Sequence, residues 1–381
     1  MEKQFIYADN AATTKMSDTA IKAMLPYLNE IYANPSSVHL LGQRSAAALF
    51  SARQQIAQVL HCAPREIYFT SGGSEADNQA LISAAALGKA QGKMHIVSTA
   101  MEHHAILHTL DYLKTQGFSV TLLYPQTNGI ITPKQVTDAL QADTCLVSVM
   151  YANNETGAIQ PIKEIGALCR QHNILFHTDA VQAAGHVDIN AERDNIDMLS
   201  LSAHKFHGPK GIGLLLARSN ILLTSVIRGG GQERGKRAGT ENLPGIMGLA
   251  AALQDAQENM VKNTAYITNL RNSLRAGLDK IDGASFNGDR EHCLPGTINY
   301  SFASVNGEAL LSLLSNEGIC CSSGSACSAG SLEPSHVLLS LGLSHDLAQS
   351  ALRFSICEYN TLEEINIIIQ KVTEAVNRLR R

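Results

Sequence analysis

The sequence predicts an α/β protein whose large domain contains a mainly parallel, doubly wound sheet and whose small domain is α+β. Between Glu66 and Ser202, short apolar runs alternate with segments of helical spacing. This alternation is typical of β–α–β units with strands that pair in parallel. Residues 146–150 are apolar nearly throughout, as expected of a strand covered by helices on both faces.

The order of the elements supports this fold class. The predicted strands of the large domain are 67–70, 95–99, 120–124, 145–151, 174–177 and 198–202. The predicted helices between them are 75–87, 105–116, 133–140 and 163–172. Each helix is long enough to carry a crossover between parallel strands.

The pattern changes after Val226. Residues 228–242 are rich in glycine and cations without periodicity, and we expect them to have no packing role within one subunit. A long helix, 243–281, is followed by strand 297–302, helix 308–317, strand 352–357 and a terminal helix. We predict a large domain of residues 14–255 and a small domain of residues 1–13 and 256–381, because chain termini often lie near each other.

The composition is typical of a globular enzyme. Of 381 residues, 45% are apolar and 17% are charged, and the net charge is −4. This charge gives no reason to expect direct binding to nucleic acid or to an anionic membrane. No apolar run approaches the ~20 residues of a membrane span, and the N-terminus lacks a secretory signal pattern. We therefore expect a cytoplasmic location.

Eight cysteines are present, in a chain long enough not to need disulfides. Cys145, Cys169 and Cys357 lie within apolar runs and are expected in the core. The sequence contains no C-x-x-C pair, so its spacing predicts no metal site.

The first candidate for chemistry is Lys205, which follows predicted strand 198–202. Ser202 and His204 lie beside it, and the Gly-Pro-Lys-Gly sequence that ends at Gly211 turns the chain. A lysine held at a strand end is suited to Schiff-base formation with a carbonyl cofactor. A surface lysine in a hairpin is the structural alternative, and this stretch alone does not decide between them.

Two further strand ends carry candidate binding groups. Thr70-Ser-Gly-Gly-Ser74 precedes a helix, whose N-terminus favours a phosphate, although Ser74 could simply cap that helix. Asp179 follows strand 174–177 and could keep a heterocyclic nitrogen protonated, or could be an N-cap.

Two more polar groups follow strands in the same region. His103 could stack on a flat ring and shuttle protons, although a lone histidine is more often structural. Asn154 could donate a hydrogen bond to a carboxylate. Taken together, the groups at these strand ends fit pyridoxal 5′-phosphate (PLP) as the cofactor.

Cys327 is the candidate nucleophile. It lies in a stretch of glycine, serine and alanine without an apolar anchor, a composition that predicts an exposed, mobile loop. Core packing therefore explains this thiol poorly, whereas Cys320 and Cys321 follow apolar Ile319 and could be buried.

Motifs along nearly the whole chain resemble the cysteine desulfurases of the NifS/IscS-like class, fold type I PLP enzymes of the class V aminotransferase type. The matching motifs are Asp9-Asn-Ala-Ala-Thr-Thr14, Asn34-Pro-Ser-Ser-Val-His39, Thr70-Ser-Gly-Gly-Ser-Glu75, Glu102-His103, Asn153-Asn-Glu155, His177-Thr-Asp-Ala-Val-Gln182, Ser202-Ala-His-Lys205, Arg237-Ala-Gly-Thr240, Ser325-Ala-Cys327 and Arg353-Phe-Ser355. Cys357-Glu358 departs from the pattern, because some relatives carry glycine or serine at the first position, and the resemblance gives no account of this pair.

The resemblance implies a role for each candidate. Lys205 binds PLP covalently, Asp179 pairs with the pyridine nitrogen, Gln182 contacts the ring oxygen and His103 stacks on the ring. Gly73, Ser74, Ser202 and His204 hold the phosphate, and Thr240 reaches the phosphate bound to the other subunit of a homodimer. Asn154 and Arg353 bind the carboxylate of L-cysteine, and Cys327 takes its sulfur as a persulfide.

The resemblance leaves the sulfur acceptor open between an iron–sulfur scaffold and a tRNA-thiolating enzyme. The alternative activities are those of a selenocysteine lyase or another fold type I PLP enzyme. Cys327 separates transamination from desulfuration, because transamination needs no thiol. A non-catalytic sulfur-relay protein is disfavoured by the complete set of Lys205, Asp179 and His103.

Overall fold

The computed structural model describes residues 5–323 and 334–381, and all structural statements below refer to these residues. The strands are β1 (Ile6–Tyr7), β2 (Ile67–Thr70), β3 (His95–Thr99), β4 (Ser119–Leu123), β5 (Thr144–Ser148), β6 (Leu175–Asp179), β7 (Met198–Ser202), β8 (Gly213–Ala217), β9 (Ala284–Phe286), β10 (Thr297–Phe302), β11 (Ile319–Cys320), β12 (Ser322–Ser323) and β13 (Ala351–Ser355). The helices are α1 (Asp18–Met24), α2 (Pro26–Asn29), α3 (Leu40–Leu60), α4 (Gly73–Ala90), α5 (His104–Thr115), α6 (Pro133–Ala139), α7 (Ile162–Gln171), α8 (Gln232–Gly235), α9 (Leu243–Leu278), α10 (Gly307–Asn316), α11 (His336–Ser340), α12 (His345–Gln349) and α13 (Leu362–Leu379).

The main sheet is mostly parallel, which confirms the predicted fold class. Its strand order is β2-β8-β7-β6-β5-β3-β4. Strands β3 to β7 pair in parallel, whereas β8 is antiparallel to both of its neighbours. Strands β5 and β7 are buried along their whole length, as the apolar runs predict. The carboxyl ends of β5, β6 and β7 therefore lie side by side along one edge of the sheet.

A second sheet contains the C-terminal strands in the order β12-β13-β10-β9, and all its pairs are antiparallel. The N-terminal strand β1 pairs in parallel with β11, and Asp9 forms a bridge with Ser355. The start of the chain thus packs with its C-terminal part.

Two apolar clusters lie along helix α9. Leu249 and Leu253 belong to the cluster around the main sheet, whereas Leu270 and Leu274 belong to the cluster that contains β10, β13 and α13. The predicted division of the chain at residue 255 would fall between these two groups on one continuous helix. We retain this division as a proposal.

The expectation that residues 228–242 have no packing role within one subunit was wrong. Glu233 is only 4% exposed and forms an ion pair with Arg53. Arg237 pairs with Glu75 at 2.9 Å, and the Gln79 amide donates to a carbonyl of the stretch. The partners come from distant parts of the chain, so no periodicity reveals them.

The predicted burial of cysteines was confirmed for Cys145, Cys169 and Cys357, which are at most 4% exposed. Cys320 and Cys321 are half-buried. Among the described residues, we find no helix that combines the length and the apolar character needed to cross a membrane.

Candidate active site

A cavity of about 370 Å³ lies where strands β6 and β7 end. It brings together most of the residues that the sequence predicts for the site, namely Gly73, Ser74, His103, Asn154, Asp179, Gln182, Ser202, His204, Lys205 and Arg353. Thr240 is exposed and does not line this cavity. Cys327 lies outside the described residues.

Lys205 is held at the end of a 3₁₀ turn, Ala203–Lys205, that directly follows β7. Its Nζ atom donates to the backbone carbonyls of Ala11 and Ala12 at 2.6 and 2.9 Å. The Gln182 side chain donates to the same Ala11 carbonyl at 2.9 Å. The irregular turn near the N-terminus therefore fixes both side chains, which explains why Asp9-Asn-Ala-Ala-Thr-Thr14 belongs to the site.

Asp179 ends β6 with its carboxyl group buried, and its Oδ1 atom accepts from the N–H of Val181 at 2.9 Å. Burial raises the pKa of Asp179 to about 6, and the Val181 N–H and the positive charge of Lys205 limit this rise. The carboxylate is therefore charged at neutral pH and can pair with a protonated ring nitrogen.

Asp77 on α4 also lines the cavity, although the sequence did not indicate it. Its side chain is 1% exposed, and its Oδ1 atom has no hydrogen-bond partner among the described residues. Burial and the charge of Asp179 raise the pKa of Asp77 well above its usual value. His177 lies 3.7 Å away, and burial lowers its pKa to about 3.

His103 is the N-cap of α5, and its Nδ1 atom accepts from the N–H of Ala105 at 3.1 Å. Burial lowers the pKa of His103 to about 4, and the positive charge of Lys205 adds to this effect. The ring is neutral at pH 7. Because Nδ1 accepts, the ring proton lies on Nε2 and is available as a hydrogen-bond donor.

The N-terminus of α4 forms the other end of the cavity. The first N–H groups of a helix have no partner inside the helix and favour an anion. A Cβ atom on Gly73 would come within 2.7 Å of Val181, so only glycine fits without a shift. Ser202 and His204 border the same end, where Thr13 hydrogen-bonds His204 Nδ1 at 3.1 Å.

Arg353 on β13 reaches the cavity from the second sheet and is only 1% exposed. Its two terminal nitrogens contact the Asn154 carbonyl at 3.0 Å and the Asp9 carboxylate at 2.9 Å. Its Nε atom has no hydrogen-bond partner among the described residues. A buried guanidinium with an unused donor is suited to binding a carboxylate.

The described residues on either side of 324–333 are anchored beside the cavity. Ser322, just before the segment, pairs with Arg353. After the segment, Ser335 donates to Glu155 at 2.5 Å, and the His336 ring contacts the carbonyl of Glu102 at 3.0 Å. Glu155 and Glu102 are the sequence neighbours of Asn154 and His103, so each anchor lies next to a predicted site residue.

The cavity fits PLP. A helix N-terminus and Gly73 suit the phosphate, a carboxylate that is charged at neutral pH suits the ring nitrogen, and a lysine suits the aldehyde. The Nε atom of Arg353 is a buried donor without a hydrogen-bond partner among the described residues. Asp9 and Asp77 are the contributions that sequence reasoning missed; the signal for Asp77 was an acid among the alanines of the buried face of α4.

Comparison with known proteins agrees with this geometry. The Aminotransferase class-V family model matches residues 6–368. The chain is 46% identical over 383 residues to a cysteine desulfurase IscS of Clostridium botulinum, covering 100% of this chain and 96% of that protein. A solved structure of a NifS-like protein superposes with a TM-score of 0.92 at 37% identity, covering 98% of this chain and 100% of the other. A structure described as SspA in complex with cysteine gives a TM-score of 0.81 at 37% identity, covering 93% and 99%.

Proposed function

We propose that this chain, which belongs to the aminotransferase class-V family and is a PLP-dependent cysteine desulfurase, transfers the sulfur of L-cysteine to Cys327 as a persulfide and releases L-alanine. The observation that supports the role of Cys327 is the position of the described residues that precede and follow its segment. Both neighbours of residues 324–333 are anchored to residues that line the cavity or are adjacent to them.

The residues that would hold PLP follow from the cavity. Lys205 would bind its aldehyde carbon, Asp179 its ring nitrogen and Gln182 its ring oxygen. The phosphate would lie at the N-terminus of α4, with Gly73, Ser74, Ser202 and His204 around it. When bound, PLP supplies an electron sink for charge that develops at the substrate α-carbon.

We assign the binding of the substrate carboxylate to Arg353 and Asn154. Arg353 is held by Asp9 and by the carbonyl of Asn154, which leaves Nε as a donor in a buried setting. A charge-assisted hydrogen bond to this group fixes the orientation of the amino acid before any bond breaks. Because β12 pairs with β13 at Arg353, the chain that leads to Cys327 begins at the same place.

Two side chains are assigned to proton transfer. Lys205 Nζ, once released from the cofactor, would accept the α-proton of the substrate. His103 presents Nε2–H to the cavity, and its lowered pKa of about 4 makes its protonated form a strong acid. In this tautomer Nε2 donates hydrogen bonds, and the ring would have to leave the Ala105 N–H and move its proton to Nδ1 before Nε2 could act as a base.

The sulfur step balances without an external oxidant. The Sγ atom of Cys327 forms an S–S bond with the substrate sulfur while the Cβ–S bond of the substrate breaks. The carbon keeps the electron pair of that bond and takes a proton to become the methyl group of alanine. Cysteine and a thiol thus give alanine and a persulfide.

The activity test uses PLP-loaded protein, L-cysteine and a reducing thiol. We expect alanine and sulfide in equal amounts, and neither product from Cys327→Ala under multiple turnover. Amino transfer to a 2-oxo acid without sulfide would contradict the proposal. Alanine from selenocysteine with no sulfide from cysteine would instead indicate a selenocysteine lyase.

We also propose a homodimer in which Thr240 reaches the site of the partner. Large apolar side chains in the segment around α1–α3 are exposed in one chain, including Leu28 at 60%, Tyr32 at 69% and Val38 at 91%. An exposed apolar patch of this kind marks an interaction surface. Light scattering should give twice the chain mass for the wild type and a lower mass for Leu28→Glu. Val261→Glu, which changes an exposed residue on α9, is the control and should keep the mass of the wild type. A wild-type monomer with full activity would contradict the dimer.

The acceptor of the persulfide sulfur would be an iron–sulfur scaffold or a tRNA-thiolating enzyme, the two alternatives that the family resemblance leaves open. Transfer of labelled sulfur from the persulfide to each candidate would decide between them. A cytoplasmic location is proposed on the basis of the seven described cysteines, all of which are free thiols, as is usual in a reducing compartment.

A further inference from the structure

Three potential metal ligands meet near Lys205 but outside the cavity described above. They are the imidazole of His207, the thiol of Cys357 and the carboxylate of Glu358, and their ligand atoms all lie within 4.8 Å of one another. His207 and Cys357 are 8% and 4% exposed. His207 follows the turn that carries Lys205, whereas Cys357 and Glu358 follow β13, which carries Arg353. The cluster therefore joins the segments that hold two site residues.

The orientation of His207 favours a ligand. Its Nδ1 atom lies 2.8 Å from the carbonyl oxygen of Lys15. A carbonyl only accepts, so Nδ1 carries a proton, and a metal ion at Nε2 would take the place of the proton that pairs this nitrogen with Glu358. Metal-binding histidines are commonly held in this way by a backbone carbonyl on the other ring nitrogen. Nε2 faces the Glu358 carboxylate at 3.5 Å.

The spacing suits a small tetrahedral ion. Ligands bound at ~2.0–2.3 Å in a tetrahedron are separated from each other by roughly 3.3–3.6 Å. The 3.5 Å between His207 Nε2 and Glu358 Oε2 already falls in this range, and the thiol, which lies within 4.8 Å of both atoms, would have to approach by up to about 1 Å. A void of about 20 Å³ borders His207 and Cys357, though not Glu358, and has room for one water.

We propose that His207, Cys357 and Glu358 bind a divalent transition-metal ion of the Zn²⁺ type. A thiolate, an imidazole and a carboxylate are ligands that Zn²⁺ accepts together, and thiolate disfavours Mg²⁺ and Ca²⁺. Two negative ligands neutralise the two charges of the ion, and the protons on the thiol and on His207 Nε2 leave to solvent. This site gives Cys357-Glu358 a role that the resemblance did not supply.

Binding of the ion would affect the relative position of Lys205 and Arg353. The ion would fasten the segment after β13 to the turn after Lys205. These segments already meet through the contact between His207 and Glu358 and through the edge contact between the rings of His207 and Tyr359. Lys205 and Arg353 come from these two segments, so bound metal would fix their separation. The site would act on catalysis only through these two residues.

The test uses untagged, PLP-loaded Cys327→Ala protein, in which the thiol of residue 327 cannot act as a ligand. After removal of metals, the protein is titrated with Zn²⁺ alone by equilibrium dialysis. We expect one Zn²⁺ per chain, and X-ray absorption should show a single sulfur neighbour at ~2.3 Å with the remaining neighbours nitrogen or oxygen.

Each ligand is then removed by a substitution chosen to spare the fold. Cys357→Ser keeps the size of the side chain, Glu358→Gln keeps its shape, and His207→Asn tolerates the positive φ of 63° at that position. Loss of second-shell partners costs about 10–100-fold in metal affinity, so each ligand substitution should cost at least about 100-fold. Cys169→Ala removes a buried thiol far from this cluster in sequence and should leave binding unchanged.

Two results would overturn the proposal. The first is that protein with His207, Cys357 and Glu358 intact binds no Zn²⁺ beyond weak surface association. In that case His207 and Glu358 form only an ion pair. The other is tight binding that persists in both Cys357→Ser and His207→Asn. PLP content and the melting temperature show whether each variant is folded. If Cys357→Ser and His207→Asn do not fold, the Zn²⁺ affinity of Glu358→Gln decides the question.

Discussion

Replacing Arg353 with lysine tests whether this buried side chain binds the substrate carboxylate. The change keeps the positive charge but removes the planar guanidinium. In the wild type this group contacts Asn154 and Asp9, and its Nε atom is a donor without a partner among the described residues. A hydrogen bond to a charged group is worth about 1.5–3 kcal/mol, so losing one should lower kcat/KM for L-cysteine about 10- to 150-fold. PLP content should stay at the wild-type level, because Arg353 lies on β13 and not among the residues assigned to the cofactor.

Steady-state assays of alanine formation, with PLP content measured in parallel, give the comparison. Arg271→Lys is the matched control, because Arg271 is also a buried arginine, 8% exposed, that donates to a backbone carbonyl, at Leu294. It does not line the cavity, so its kcat/KM should stay within about threefold of wild type. If Arg353→Lys is equally unaffected while it retains PLP, the assignment of the carboxylate site is wrong.

The other predictions concern the cofactor. Lys205→Ala should carry no covalent PLP after borohydride reduction, and a reducible link at the native position in this variant would disprove the assignment. The raised pKa of Asp179, about 6, means that its carboxylate is charged above this pH and neutral below it, so the affinity of the apoprotein for PLP should fall as the pH drops through 6. Asp179→Asn should bind PLP weakly on both sides of pH 6, and an unchanged pH dependence in this variant would contradict the pairing. Gly73→Ala should lower the free energy of unfolding by about 1–3 kcal/mol in denaturant titrations, because its Cβ would lie 2.7 Å from Val181. Gly72→Ala is its control, since the nearest atom there is 3.6 Å away; equal stability of the two variants would refute the steric argument.

The sequence predicted the elements of the main sheet well because its strands are short apolar runs bounded by turn residues. The predicted bounds of β3, β7 and β10 coincide with those of the structure. Helix α4 begins at Gly73, earlier than predicted, because glycine weakens the helical pattern at the point where the backbone packs against Val181.

The candidate site was predictable where its residues directly follow strands. Asp179 and Lys205 are at or just after the ends of β6 and β7, where a ligand is expected in an open α/β sheet. Asp9 and Asp77 were missed because their places depend on contacts between residues far apart in the chain. The ion pairs of residues 228–242 and the cluster of His207, Cys357 and Glu358 are hidden for the same reason.

The position of the sulfur after one turnover tests the central claim most directly. PLP-loaded wild-type protein is treated with L-cysteine without a reducing thiol, digested under conditions that preserve persulfides and analysed by mass spectrometry. We predict that the peptide containing Cys327 gains the mass of one sulfur atom, with one alanine released per persulfide formed. An added sulfur on Cys320 or Cys321 with Cys327 unmodified, or alanine release without any protein persulfide, would contradict the account.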